Sequence, residues 1–245
     1  MELPVTPGPS DHAASFGAAA GAYERGRPPY PEEALTWLLP AGEPRVLDLG
    51  AGTGKLTRQI RARGLDVVAV DPSPGMLGEL TRVLPDVPAH VGSAETIPLP
   101  DAHVDVVLVA QAWHWVDAAR ALPEIARVLT PGGRLGLIWN LRDERTDWVA
   151  RLGEIIGSAE MNRDSRIGPP FGDVTEQSFT WAHHLEADEM LDMVASRSGI
   201  ILLPADERAA VLAQVRQLIA THPALLGRST HALPYVTACA RADLT

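Results

Sequence analysis

The chain of 245 residues is 46% hydrophobic and 21% charged, a composition typical of ordinary globular proteins rather than disordered or fibrous ones. Its formal net charge of -10 disfavours broad binding to nucleic acid, because an acidic surface repels phosphate backbones. Cys239 is the single cysteine, so an internal disulfide is excluded. Because the sequence has no secretory signal and no apolar run of ~20 residues, we expect a cytoplasmic protein without a membrane span.

The first half of the chain alternates short apolar segments with amphipathic ones. Strands this apolar must be covered on both faces, which predicts a parallel sheet. Strand and helix in strict turn predict a doubly wound α/β domain. In chain order we predict a helix over 31–39, a strand over 45–50, a helix over 56–64, a strand over 66–71, a helix over 74–84, strands over 88–95 and 104–111, a helix over 121–129 with Pro123 at or near its first turn, and a strand over 134–140.

After about residue 146 this alternation weakens. The pattern there predicts helices over 147–160, 188–197 and 204–223 and strands over 178–188 and 231–242. Residues 1–14, rich in Pro, Gly, Ser and Ala, predict a flexible tail. We interpret residues 15–245 as a single domain, in which about 15–145 bind a cofactor and about 146–245 supply substrate-pocket helices and the last strands.

The strongest local motif is LDLGAGTGKL (47–56), which places three glycines between a strand and a helix. Such glycines let the backbone turn sharply and approach a ligand closely, although a tight turn without a ligand is the alternative. A phosphate-binding P-loop is excluded, because Leu49 and Leu56 stand where it requires Gly and Ser or Thr. A dinucleotide loop is disfavoured, because Lys55 stands where its third glycine belongs.

The acid before these glycines favours a third kind of loop. Asp48 followed by Gly50 and Gly52 matches the S-adenosylmethionine loop, in which an acid ends the strand before G-x-G. Asp71 ends the next strand roughly 20 residues on, where nucleoside-binding sheets hold ribose hydroxyls. A carboxylate there can accept two hydrogen bonds from a vicinal diol. The alternative is an exposed strand-end Asp71 that caps the helix at Pro74.

Several motifs together resemble the class I S-adenosylmethionine-dependent methyltransferases over roughly residues 15–145. This resemblance implies a mostly parallel seven-stranded Rossmann-like sheet with an antiparallel last strand and a helical cover. The segments AxAWHWxD and YERGRPPYP (23–31) resemble the branch that includes trans-aconitate methyltransferase-like proteins. The motifs that carry the resemblance, in chain order, are RVLDLGAGTGKLT, VVAVDPSPGML, GSAETIPLPD, VDVVLVAQAWHWVD and EIARVLTPGGRLGLIWN.

The resemblance implies a role for individual residues in binding S-adenosylmethionine. Ser93 departs from the pattern, because many relatives have Asp there and a hydroxyl accepts a hydrogen bond less strongly than a carboxylate. Tyr23 and Arg27 have an alternative as part of a surface helix and a Pro-rich turn. By position, Asp48, Gly50, Gly52 and Gly54 would line the methionine part, Asp71 would hold the ribose, Met76 would lie beside the adenine, Ser93, Ala94 and Glu95 would lie at the adenine edge, Gln111 would lie over the sulfonium, and Tyr23 and Arg27 would fold over the cofactor.

Methyl transfer to a small-molecule acceptor is the predicted reaction, and the trans-aconitate resemblance suggests a carboxylic acid. His114, just past the fourth strand, is the candidate catalytic base, with Trp113, Trp115 and Arg142 as candidate substrate residues. Alternatively, His114 and the two tryptophans pack the following helix, and Arg142 forms a solvated pair with Asp143. No metal site is expected, because the histidines lack ligand spacing with acids. The competing functions are a non-catalytic adenosyl-binding protein and an NAD-type oxidoreductase.

Overall fold

The computed structural model describes residues 28–158 and 166–245, and its elements alternate along the first half as the sequence predicts. The predicted tail over 1–14 lies outside the described residues. The strands are β1 (Val46–Leu49), β2 (Val67–Asp71), β3 (Ala89–Val91), β4 (Val104–Ala110), β5 (Leu129–Arg142), β6 (Thr175–Leu185) and β7 (His231–Asp243). The helices are α1 (Glu32–Leu38), α2 (Lys55–Ala62), α3 (Pro74–Val83), a 3-10 turn (Trp113–Trp115), α4 (Ala118–Val128), α5 (Asp147–Ile156), α6 (Ala187–Ala195), α7 (Ser198–Ile201) and α8 (Ala205–Thr221).

The strands form one seven-stranded sheet in the order β3-β2-β1-β4-β5-β7-β6. Neighbouring strands from β3 to β5 run parallel, whereas β7 is antiparallel to both β5 and β6. The predicted fold class, a mostly parallel sheet with an antiparallel last strand, is therefore confirmed. Because β1, β2 and β4 are parallel, their carboxyl-terminal ends meet at one margin of the sheet, which we call the carboxyl edge.

Hydrophobic cores lie on both faces of the sheet, as the continuous apolar strands predict. One face packs against α4 through Leu122 and Ile125. The other face packs against α1, α2 and α3, with Leu35, Ile60 and Leu80 fully buried. Among the described helices, none has the length and apolar character needed to cross a membrane.

A third core lies beyond the end of β5 and builds what we call the cap: α5 to α8 with the ends of β6 and β7. Arg142, the last residue of β5, pairs with Tyr235 of β7, which pairs with Trp181 of β6. The β6–β7 pair then continues past the sheet over residues 182–185 and 231–234. The helices of the cap pack on this extension through Leu152 and Met190, among others. The predicted helical cover is present.

The bounds of several elements differ from prediction. Pro123 lies inside α4 rather than in its first turn, because the Asp117 side chain accepts a hydrogen bond from Ala119 N (3.1 Å) and starts the helix earlier. The strand predicted over 88–95 is only three residues long, because the chain turns back at Ser93. The helix predicted over 147–160 ends at Ile156, where Gly157 takes the left-handed φ of 83°.

Candidate functional site

The glycine loop follows β1 at the carboxyl edge and has left-handed backbone at Gly50, Gly52 and Gly54, with φ of 76°, 56° and 88°. A Cβ added to Gly50 would lie 2.8 Å from the Cβ of Ala112, so only glycine fits between the loop and the end of β4. A Cβ added to Gly52 would meet no atom within 4 Å. The loop is therefore packed against the protein at Gly50 and open at Gly52, where a ligand can approach the backbone.

Asp71 connects the end of β2 to this loop. One carboxylate oxygen, Oδ2, accepts a hydrogen bond from Gly52 N (2.8 Å), and Oδ1 accepts one from Ser73 N (2.8 Å). Burial raises the pKa of Asp71, whereas these two backbone bonds lower it. The interpretation of Asp71 as an exposed helix cap is wrong, because its side chain is buried and Ser73 caps α3 through Met76 N. Each oxygen keeps a lone pair for a further donor.

Asp48 lies under the loop with no exposed surface. Its Oδ2 accepts a hydrogen bond from the hydroxyl of Thr57 (2.6 Å), while Oδ1 has no partner among the described residues. Burial raises the pKa of Asp48 to about 7, and the hydrogen bond from Thr57 opposes this rise. A buried, unpartnered carboxylate oxygen is costly, so β1 carries, just before the loop, an acceptor that the packing of the described residues leaves unsatisfied.

The turn after β3 lies beside Asp71, because Gly92 N donates to Asp71 O (3.2 Å). Ala94 is buried in this turn, and the Glu95 carboxylate accepts a hydrogen bond from Asp117 N (3.0 Å). Burial raises the pKa of Glu95, but hydrogen bonds from Asp117 N and the Ser93 side chain outweigh this effect. The pKa of Glu95 is therefore below its ordinary value. Glu95 thus ties the turn to the start of α4. Met76 is also buried, in the first turn of α3.

Gln111 directly follows β4 and has a conformation that is uncommon for a residue with a side chain, with φ of 59°. Its N–H donates to Ile138 O (2.9 Å), and its side-chain Nε2 donates to Asn140 O (3.2 Å). Both bonds hold Gln111 against β5. A residue kept in this region by its surroundings is characteristic of ligand sites.

The three candidate residues that follow Gln111, Trp113 to Trp115, differ in burial. Trp113 is buried and packs in the core beside α4, as the packing alternative predicts. That alternative is wrong for the other two, because His114 is exposed and Trp115 is 54% exposed. Their ring centroids lie 4.8 Å apart. His114 and Trp115 therefore form a small surface next to the carboxyl edge.

Arg142 does not form a solvated pair with Asp143. The side chain of Arg142 is 4% exposed and lies 3.3 Å from a carboxylate oxygen of Glu144. It also donates to Gly157 O (2.7 Å), while Asp143 pairs with Arg145 (2.6 Å). Arg142 thereby ties the end of β5 to the end of α5. Its role toward a substrate stays a prediction.

Tyr23 and Arg27 lie outside the described residues, but the chain just after them is held at the edge by two residues that are not among the predicted site residues. Asn140 Nδ2 donates to Pro29 O (2.9 Å). Gln59 of α2 accepts from Tyr30 N (2.8 Å) and donates to Tyr30 O (2.7 Å). Asn140 carried a usable signal, since it is a polar residue at the end of a predicted parallel strand. Gln59 carried none, because it resembles any surface residue of an amphipathic helix.

Comparisons with known proteins agree with this geometry. The family of methyltransferase domains matches residues 47–137, which include the glycine loop, Asp71 and Gln111. An uncharacterized methyltransferase of Mycobacterium bovis is 60% identical over 236 residues, covering 96% of this chain and 97% of that protein. An uncharacterized methyltransferase-like protein of Schizosaccharomyces pombe is 35% identical over 237 residues, covering 91% and 93%.

Among solved structures, a protein assigned as a type II methyltransferase from Anaeromyxobacter dehalogenans has the same fold. Its TM-score is 0.65 at 23% identity, and the match covers 89% of this chain and 97% of that one. Within 28–158 and 166–245, no three His, Cys, Asp or Glu side chains group as they would around a metal ion.

Proposed function

Because the chain belongs to the class I S-adenosylmethionine-dependent methyltransferases, we propose that it binds S-adenosylmethionine at the carboxyl edge and transfers the methyl group to a small-molecule acceptor. One observation carries the proposal. The buried Asp71 carboxylate is fixed by Gly52 N and Ser73 N, keeps a lone pair on each oxygen, and lies beside the open space at Gly52. This is the arrangement that a ribose diol requires.

The residues at the edge fit the three parts of this cofactor. Asp71 would accept the ribose hydroxyls, and the buried Met76 and Ala94 offer apolar contacts for the adenine. The open backbone at Gly52 would approach the methionine part, and the unpartnered Oδ1 of Asp48 is an acceptor for a hydrogen-bond donor of that part. Gln111 would lie at the methyl end. Ser93 and Glu95 are engaged with each other and with Asp117, so we assign them to shaping the adenine side.

The tasks of the protein in this reaction are to position the acceptor and to exclude water. When bound, the cofactor supplies a methyl group on a sulfonium, which leaves as a neutral thioether and needs no acid. A base is needed only where the acceptor must lose a proton, and the exposed His114 is the candidate for that role. Trp113 and Trp115 would line the acceptor side, with the cap as its cover.

A carboxylic acid is the acceptor class that we propose to test first. A carboxylate is already ionised near pH 7, so His114 would orient it rather than deprotonate it. Arg142 already bonds Gly157 O and Glu144, and would have to leave both to reach an acid. We therefore give His114 the main orienting role and Arg142 a supporting one.

The test is thermal unfolding with S-adenosylmethionine, S-adenosylhomocysteine and NAD in parallel, followed by calorimetric titration. A ligand at about 100 times its Kd adds roughly 2.7 kcal/mol to the free energy of unfolding. We expect stabilisation by the two adenosyl compounds and none by NAD. Asp71→Ala should weaken their binding by about 1–3 kcal/mol through lost charged hydrogen bonds.

Asp66→Ala is the matched control, because Asp66 is an exposed carboxylate just before β2, at the opposite margin of the sheet. Binding of NAD alone would replace the methyltransferase proposal with the oxidoreductase. Unchanged affinity in a folded Asp71→Ala protein would remove the ribose assignment. Binding without turnover on any small acid, amine or phenol would favour the non-catalytic alternative.

A further inference from the structure

A chain of side-chain hydrogen bonds crosses from the cap to the carboxyl edge. Trp181 Nε1 donates to the hydroxyl of Thr237 (2.8 Å), and that hydroxyl donates to Asn140 Oδ1 (2.5 Å). Asn140 Nδ2 then donates to Pro29 O (2.9 Å). The four residues lie on β6, β7, β5 and the segment before α1, so the chain joins parts that are distant in sequence.

The direction of this chain follows from elementary chemistry. An indole N–H can only donate, so the Thr237 hydroxyl accepts from Trp181; Pro29 O can only accept, so the Asn140 NH₂ faces it and leaves Oδ1 to accept the hydrogen of Thr237. The amide oxygen of Asn140 therefore faces Thr237, and the amide NH₂ faces Pro29. Each of the three hydrogen bonds in the chain therefore joins a donor to an acceptor in one consistent direction, from Trp181 to Asn140 and from Asn140 to Pro29.

The residues at the end of the chain span the carboxyl edge. Pro29 is held by Asn140 at the end of β5, and Tyr30 is held by Gln59 of α2, which follows the glycine loop. In the sheet, β4 lies between β1 and β5. Pro29 and Tyr30 therefore join the end of β5 to α2, and Gln111, directly after β4, donates to the backbone of the same Asn140. We call these two residues the bridge.

Thr237 can fix the position of the Asn140 side chain in addition to packing in the interior. It has no exposed surface, and its hydroxyl links Trp181 Nε1 to Asn140 Oδ1. Trp181 is itself fixed by stacking on Tyr235 at 5.3 Å between ring centroids. A side chain locked by packing and hydrogen bonding can hold a site to a fraction of an ångström.

We propose that Asn140 and Thr237 are positioning residues of the ligand site, which set the bridge and Gln111 against the bound adenosyl cofactor. This inference rests on the proposed function, because it assumes that the cofactor binds at the carboxyl edge. Neither residue touches the reacting atoms; both act through the bridge and Gln111. Loss of the chain should weaken ligand binding more than it weakens the fold.

The test compares Thr237→Val, which has nearly the same shape but no hydroxyl, with Thr237→Ser, which keeps the hydroxyl. Calorimetric titration with S-adenosylhomocysteine gives the Kd, and thermal unfolding without ligand gives the stability. We expect the Kd to rise about three- to tenfold for Thr237→Val and to stay within about twofold for Thr237→Ser. Asn140→Asp should raise it by about tenfold or more, because a carboxylate oxygen would then face Pro29 O.

Thr180→Val, an exposed threonine of β6, is the control for loss of a threonine hydroxyl in this sheet and should leave both quantities unchanged. A lower unfolding temperature with an unchanged Kd in Thr237→Val and Asn140→Asp would overturn the inference and leave the chain a purely structural role. If the wild-type protein binds no S-adenosylhomocysteine, the proposed function falls and the inference with it. Wild-type binding that all the variants retain overturns the inference alone.

Discussion

The carboxyl edge and the cap are held together by different kinds of interaction. At the edge, backbone N–H groups bond to a carboxylate within a short stretch of chain, as Gly52 N does to Asp71. In the cap, apolar side chains from α5, α6, α8 and β7 pack together, with Leu152 and Met190 fully buried. Substitutions at the edge should therefore change ligand binding with little loss of stability, and substitutions in the cap should do the reverse.

The largest effect on ligand binding is expected from Gly50→Val. A β-branched residue disfavours the left-handed φ of 76°, and its Cβ would lie 2.8 Å from Ala112 Cβ. Displacing the loop should weaken binding of S-adenosylhomocysteine by about 100-fold, or about 2.7 kcal/mol. Gly42→Val is the control, because Gly42 has φ of 99° but open space around it, and it lies outside the loop. If both variants bind equally well, the packing of Gly50 does not set the site.

Leu152→Ala tests the cap at a fully buried position. Removing a buried leucine side chain typically costs about 2–5 kcal/mol of unfolding free energy. Chemical denaturation should report this loss, while the Kd for S-adenosylhomocysteine stays within about twofold of wild type. Leu202→Ala, at a 50% exposed leucine between α7 and α8, is the control and should change stability by less than about 0.5 kcal/mol. A Kd that rises along with the loss of stability would show that the two regions are not separable.

The last comparison concerns the pH dependence of stability at Asp48. Burial raises the pKa of Asp48 in the folded protein to about 7, well above the ordinary value for an aspartate. The folded protein therefore holds a proton that the unfolded chain releases, so this contribution to stability is full below about pH 4 and is lost as pH rises to about 7. Asp48→Asn removes the titration, so its stability relative to wild type should improve between these pH values and then level off. A difference that is flat from pH 4 to 8 would contradict the raised pKa.

The first half of the fold was predictable because its signals are local. The strand predicted over 45–50 is β1 (Val46–Leu49), and all four of its residues are buried, so the apolar run marks the strand directly. The glycines of the loop are likewise local, because a left-handed backbone prefers glycine wherever it occurs. The carboxyl edge follows from these two facts, since parallel strands that share a sheet bring their ends together.

Other features depended on competition between signals. Pro123 suggests a helix start, but Asp117 provides a better one, because its side chain caps an N–H group that would otherwise lack a partner. Likewise β5 begins at Leu129, before the Pro-Gly-Gly sequence that indicates a turn. The pairing of β5 with β4 shifts register there, between Val104 and Val106. The Pro-Gly-Gly sequence therefore forms an irregularity within the strand and does not end it.

The hydrogen-bonded chain through Asn140 could not be predicted from the sequence. Thr237 is 97 residues from Asn140 and 56 from Trp181. Polar residues at such separations have no periodicity or motif in common, and only the antiparallel pairing of β7 with β5 and β6 brings them together. The side-chain directions of His114 and Trp115 could not be predicted for a related reason, because a 3-10 turn of three residues has no periodic pattern.

The position of β7 also governs when the protein can fold during its synthesis. The first five strands form a continuous parallel sheet with short connections, and they can pair as they leave the ribosome. The sixth strand cannot join them, because its place beside β5 is taken by β7, which is made about 50 residues later. Until then one side of β5 and all of β6 are unpaired strand edges, which invite aggregation. The strand made last is thus the one that completes the sheet and encloses the cap. The nascent chain therefore has the most unpaired strand edge just before β7 emerges.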